Sequence, residues 1–151
     1  MKVLVAIDGW NEGHAAVDAL VRQQLPQGSE VRVISVVEPM GGYAGGGIEL
    51  GVYDVMEKGR GESARAAVDK AAATLRTKGS SGVITVTTEV LSGAPTPVII
   101  ADAEAFAADW IFVGSHGYGR IEQFVLGSVS QAVAARASCS VAIVRIPRAQ
   151  R

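Results

Sequence analysis

After Met1 and Lys2 come five apolar residues, Val3 to Ile7, with no polar alternation, and Asp8-Gly9 ends the run. An unbroken apolar run of this length reads as a strand covered on both faces. Next, Val17, Leu20, Val21, Gln24 and Leu25 share one helical stripe, halted by Pro26 and Gly28. Val31 to Val37 is a second strand, closed by Glu38-Pro39. Met40 to Gly51 holds six glycines and reads as a loop that packs no core of its own. A long helix follows, clearest from Gly61 onward, with Ala64, Ala67, Val68, Ala71 and Leu75 at helical intervals and Gly79-Ser80-Ser81-Gly82 as its stop. Val83 to Leu91 is rich in β-branched residues and predicts a third strand. Thr96 and Pro97 fit an N-cap and first helical position, opening a helix to Ala107. Trp110 to Val113 predicts a buried fourth strand, an alanine-rich helix runs from Gly127 to Ala137, and Ser140 to Ile146 is a last strand.

Five strands alternating with four helices predict the α/β class: a single-domain open parallel sheet with right-handed crossovers and helices on both faces. The domain is expected over 1–147, with 148–151 a polar, frayed tail. No internal repeat or second domain is visible. In such sheets ligands settle beyond the carboxyl ends of the strands, where strand order reverses. Asp8 follows the first strand and Gly114 the fourth, so both are expected on that edge.

Composition narrows the function. Of 151 residues 48% are apolar but only 5% aromatic, so the core must be built from Ala, Val, Ile and Leu. With 14 Lys+Arg against 15 Asp+Glu, nothing favours a nucleic-acid or anionic-membrane partner. Cys139 is the only cysteine, which excludes an internal disulfide. His14 and His116 lie far apart in sequence, which argues against zinc. The apolar start is too short for a signal-peptide core or membrane span, so a cytoplasmic location is expected.

The chemistry is concentrated in Gly114 to Ser130, GSHGYGRIEQFVLGSVS, between a strand and a helix. Its glycines, spaced G-x2-G-x9-G-S, permit φ > 0 and close backbone approach to a ligand. Gly127 and Ser128 stand where the helix should begin, and amides without helical partners at a positive dipole end suit phosphate. Other phosphate motifs fail by residue. No lysine follows Lys78, so there is no Walker A loop in this half of the chain, and Asp8-Gly9-Trp10-Asn11-Glu12-Gly13 lacks the dinucleotide fingerprint. A nucleophile elbow is also missing.

The chain resembles the universal stress protein family along nearly its whole length. The resemblance rests on Val3 to Asp8, Asp109 to Gly117, Leu126-Gly127-Ser128-Val129 and Cys139 to Val144, and the glycine spacing is that of the ATP-binding branch. It implies a Rossmann-like, adenine nucleotide alpha hydrolase-like sheet in 3-2-1-4-5 order. It further implies that Asp8 and Val36 flank the adenine or ribose, that Gly114 lies near the ribose, and that Gly117, Gly127, Ser128, Val129 and Ser130 hold phosphates, with Ala6 and Ile7 also among the expected binding residues. His116 and Arg120 complete the expected set from within the loop. A homodimer through strand 140–146 is implied as well, its outer edge being otherwise unpaired. Family members often carry Ser in place of Trp10 and basic residues in place of Tyr118 and Glu122. Arg120 is then the only full positive charge in the loop, and backbone amides carry most of the neutralisation. ATP is the expected ligand, with tolerance of AMP, ADP or cyclic AMP, and with Mg2+ or Mn2+ accompanying a triphosphate.

The expected function is a nucleotide-binding stress-response or signalling module with little or no turnover. One alternative is a weak ATPase or phosphotransferase, which needs a metal-holding acid and a group that positions the nucleophile. Asp8 at the adenine end is remote from that role, and His116 has no carboxylate that the sequence places beside it as a general base. Another alternative is a dimeric interaction protein that binds no nucleotide, against which the intact spacing argues. Elsewhere, His14 is expected on a solvated helix face, Cys139 in a buried strand, and Trp10 either near the base or in surface packing.

Overall fold

The computed structural model describes residues 1–8, 13–39, 50–79, 84–115 and 126–145. Its elements run β1 (Lys2–Ile7), α1 (Gly13–Val21), β2 (Glu30–Val37), α2 (Leu50–Lys78), β3 (Thr85–Ser92), α3 (Pro95–Phe106), β4 (Trp110–Gly114), α4 (Ser128–Arg136) and β5 (Ser140–Val144). The five strands form one sheet in the order β3-β2-β1-β4-β5, as the resemblance implied, and every neighbouring pair is parallel.

Strand alternation sorts the side chains into two cores. On one face Val3, Val5, Val31, Val33 and Phe112 pack with Val17 and Leu20 of α1 and Val68, Ala71 and Leu75 of α2. On the other, Leu4, Ile34, Ile111 and Val113 pack with Ile99 and Ala103 of α3 and Val133 of α4. With aliphatic residues on both faces, the central strands are the unbroken apolar runs that a doubly covered parallel sheet requires. Each large aliphatic side chain so buried stabilises by about 1.5–3 kcal/mol.

The ends of several elements differ from the sequence expectation. Helix α1 stops at Val21, so Gln24 is not on its stripe and is exposed. The Gln23 amide donates to the Leu20 carbonyl at 3.0 Å, tightening the last turn, and Leu25 then folds back into the core outside the helix. Helix α2 begins at Leu50, so the last two residues of the expected glycine loop are helical. Strand β3 starts at Thr85 and runs to Ser92, where Gly93 takes φ +138°. Helix α3 is capped by Ala94 and starts at Pro95, not at Thr96-Pro97. A first helical turn has no use for the missing proline N–H at either position, so the sequence signal was right in kind and two residues late. Trp110 is 39% exposed at the start of β4, not buried. Cys139 sits half-buried in the bend before β5 and not within a strand. The end of the last strand at Ile146, the 147/148 domain boundary and Trp10 fall outside the described residues, as does the side chain of His14.

The two sheet edges are not alike. On β3, the Arg76 guanidinium of α2 donates to the Val86 carbonyl at 2.7 Å, and the Thr88 hydroxyl donates to Asp69 of α2 at 3.3 Å. Strand β5 pairs only with β4, and no such bridge crosses its outer side among the described residues.

Candidate functional site

Parallel register brings the carboxyl ends of three strands together. Ala6 lies opposite both Ile34 and Val113, Ile7 is opposite Ser35, and Gly114 is opposite Val144. From β1 the chain moves outward through β2 to β3 and then crosses back to β4, so β1 and β4 flank the point where strand order reverses. Asp8 is exposed at the end of β1, and Val36 is half-buried near the end of β2. Ala6, Val36 and Val129 lean on the α3/α4 core, whereas Ile7 belongs to the α1/α2 core. The edge between β1 and β4 thus has an aliphatic floor on both sides.

Helix α4 delivers its N-terminus to this edge. Gly127 is the N-cap with φ −58° and ψ 147°, and among the described residues no side chain caps the helix. Helical geometry leaves the amides of Ser128, Val129 and Ser130 without intrahelical acceptors, and the first turn contains no acidic residue to compete for its dipole. Three hydrogen bonds fix the position of this turn. The buried Ser130 hydroxyl donates to the Gly114 carbonyl at 2.5 Å. The Gly127 amide donates to the Ser115 carbonyl at 2.8 Å, and the Ser115 amide donates to the Val144 carbonyl at 2.7 Å. Strands β4 and β5 and helix α4 therefore meet at one joint.

Ser115 was not singled out by sequence reasoning. It is 6% exposed and forms the centre of that joint. The available signal was a small polar residue immediately after an apolar strand.

Gly114 and Gly127 do not adopt positive φ; among the described residues only Gly28, Gly93 and the non-glycine Ala107 do. The expectation of a left-handed turn at these two positions is corrected: what glycine can supply there is room, not handedness. Of the expected binding residues, Ala6, Ile7, Asp8, Val36, Gly114, Gly127, Ser128, Val129 and Ser130 lie along this edge. His116, Gly117 and Arg120 lie outside the described residues.

Among the described residues no group of three or more His, Cys, Asp or Glu is arranged to hold a metal ion. No described helix is long and apolar enough to cross a membrane. The Cys139 thiol is pushed above its ordinary value, chiefly by burial; a backbone hydrogen bond opposes the shift and the Asp109 carboxylate adds to it.

This arrangement defines a doubly wound α/β protein with an uncapped helix N-terminus at its switch point. The sequence profile of the universal stress protein family matches residues 1–145, and the chain belongs to that family. It is 29% identical over 143 residues to a universal stress protein of Thermus aquaticus, covering 95% of this chain and 97% of that one. It is 26% identical over 144 residues to putative universal stress protein SH1215 of Staphylococcus haemolyticus, covering 95% and 83%.

Solved structures agree in fold. The hypothetical protein MJ0577 superposes with a TM-score of 0.80 at 21% identity, covering 97% of this chain and 96% of that one. An Arabidopsis thaliana family member with AMP bound gives 0.71 at 14% identity, covering 99% and 94%. The Archaeoglobus fulgidus protein in complex with dAMP gives 0.62 at 20% identity, covering 95% and 97%. A universal stress protein in complex with cAMP gives 0.62 at 20% identity, covering 96% of each chain.

Proposed function

We propose that this chain binds an adenine nucleotide at the carboxyl edge of β1 and β4, with ATP the favoured ligand and AMP, ADP or cyclic AMP tolerated, and acts as a stress-response or signalling module with little or no turnover. The observation that carries this reading is the first turn of α4, which has no side-chain cap or acid and is tied by Ser130 to the end of β4. Relatives of the same fold bind AMP, dAMP and cAMP, which supports a nucleotide monophosphate unit as the common element.

In this reading Ala6, Ile7, Asp8 and Val36 flank the base and ribose, and Gly114 approaches the ribose. Gly117, Gly127, Ser128, Val129 and Ser130 present amides and hydroxyls to the phosphates, with His116 and Arg120 contributing from the loop. Ser130 acts through its amide, since its hydroxyl already serves Gly114. Without a carboxylate cage among the described residues, Mg2+ or Mn2+ would be held by the phosphate oxygens and water. The low-turnover reading rests on the place given to Asp8, at the adenine end and remote from the metal-holding role that phosphoryl transfer needs. The bridged edge of β3 and the open edge of β5 favour a homodimer through β5.

Calorimetric titration with ATP, ADP, AMP and cyclic AMP, with phosphate release assayed in parallel, tests the proposal. Saturable binding without release is expected. Gly127→Val should abolish binding while leaving the circular dichroism spectrum unchanged, because its branched Cβ would occupy the phosphate position. Absence of binding by all four nucleotides overturns the reading, and normal binding by Gly127→Val overturns the placement.

A further inference from the structure

Helix α2 is longer than the sheet it covers. Its 29 residues span roughly 43 Å at 1.5 Å per residue. The 8-residue strands β2 and β3 beneath it span only about 26 Å at 3.3 Å per residue. About eleven residues therefore overhang the sheet, and among the described side chains of the helix the first that is buried is Ala64. The overhang still carries apolar residues: Val52 is 49% exposed, Val55 71% and Met56 48%. Their i, i+3, i+4 spacing puts them on one stripe with Gly59. At 3.6 residues per turn that stripe lies roughly 150° around the helix from the buried face of Ala64, Val68, Ala71, Ala72 and Leu75. The core therefore cannot account for it.

We propose that this stripe is a contact between two copies of the chain, their α2 helices antiparallel and crossing near Gly59. Three features favour a second copy. The large side chains, Val52, Val55 and Met56, precede Gly59, whereas the same stripe continues with exposed Ser63 and Ala66 after it. Reversing one helix lays large residues over small ones. Among the described residues nothing lies within 4 Å of where a Gly59 Cβ would project, so two backbones can approach closely there. Lys58 and Glu62 lie on one flank of the stripe, both exposed, and an antiparallel two-fold sets each Lys58 against Glu62 of the other copy. On the opposite flank Arg60 faces its own counterpart. The contact is small beside a standard interface of about 1,600 Å², so it is a weak, concentration-dependent association added to any other the chain makes.

Sedimentation velocity over a concentration series tests it. The wild-type mass should rise with concentration, and Val55→Glu should weaken the association about tenfold or more, because an unpaired charge would enter the contact. Lys58→Glu should weaken it about threefold, and the double swap Lys58→Glu with Glu62→Lys should restore it. Arg60→Ala should tighten it. Val55 is exposed in the single chain, so an unchanged melting temperature separates lost contact from lost fold. Two results overturn the proposal: unchanged association in Val55→Glu, which leaves the stripe to a different protein, or failure of the double swap to restore what the single change lost.

Discussion

The Ser130 hydroxyl, two residues into α4, donates to the carbonyl of Gly114, the last residue of β4, at 2.5 Å. Ser130 is only 4% exposed, so water does not readily replace this bond. One side chain thereby sets both where the strand ends and where the helix begins. Ser130→Ala should destabilise the protein by about 1–2 kcal/mol, since a buried carbonyl loses a partner. Denaturant titration reads the loss. Nucleotide titration of the same variant should show weaker binding, because the amides of the first turn are no longer held in place.

Arg32 on β2 forms ion pairs with Glu89 of β3 and, at 2.8 Å, with Asp102 of α3. Its guanidinium also lies 5.8 Å from the centre of the Phe106 ring. The cluster clamps α3 to the sheet far from the carboxyl edge. Asp102 is the most enclosed partner, its side chain 11% exposed against 45% for Glu89. Asp102→Ala should cost about 1–3 kcal/mol, below the range for a fully buried pair because Arg32 keeps some solvent. Glu89→Ala should cost less, under about 1 kcal/mol. Chemical denaturation of the two variants orders them, and equal losses would contradict the clamp.

Opposite substitutions should both stabilise. Ala107 ends α3 at φ 54°, ψ 51°, a left-handed conformation that glycine adopts more easily, and its amide and that of Ala108 close the helix on Glu104 and Ala103. Ala107→Gly should raise stability by up to about 1 kcal/mol. Gly61 lies inside α2 with nothing among the described residues within 4 Å of the position of a Cβ, so Gly61→Ala should add about 0.8–1 kcal/mol through helix propensity. Thermal melts of the single and double variants should show additive gains, the sites lying on different helices.

Cys139 should be a slow thiol. Burial raises its pKa, so at neutral pH the neutral form dominates, and alkylation by iodoacetamide should accelerate only at higher pH than for a free cysteine. Asp109→Asn removes the nearby negative charge that adds to the shift and should move the rate profile to lower pH. The Lys2 amide, which donates to Asp109 Oδ2 at 2.7 Å, retains a side-chain oxygen as acceptor.

The sequence disclosed the fold because its strands are unbroken aliphatic runs, and Val3 to Ile7 or Ile111 to Val113 admit no other reading between helical stripes. It was weakest where backbone geometry and not side-chain polarity decides. The start of α2 was hidden by glycines that a helix tolerates, here exposed Gly59 and half-buried Gly61. The start of α3 was blurred by two prolines in one turn. In the candidate site, glycine spacing pointed to the joint, but the amide and carbonyl bonds of Ser115 that build it use groups every residue type possesses. Trp110 misled through its apolarity: at the first position of a strand it has lost half its cover, as its 39% exposure records.

The unequal borders of the sheet carry a consequence for crowding and heat. A strand arriving from another molecule finds the Val86 carbonyl of β3 already taken by Arg76. Among the described residues no such bond guards β5, and in the proposed homodimer a second molecule's β5 would fill that berth on both. In the proposed homodimer the sheet would reach its full width at two molecules, a terminus that would guard its aliphatic strands against fibril growth.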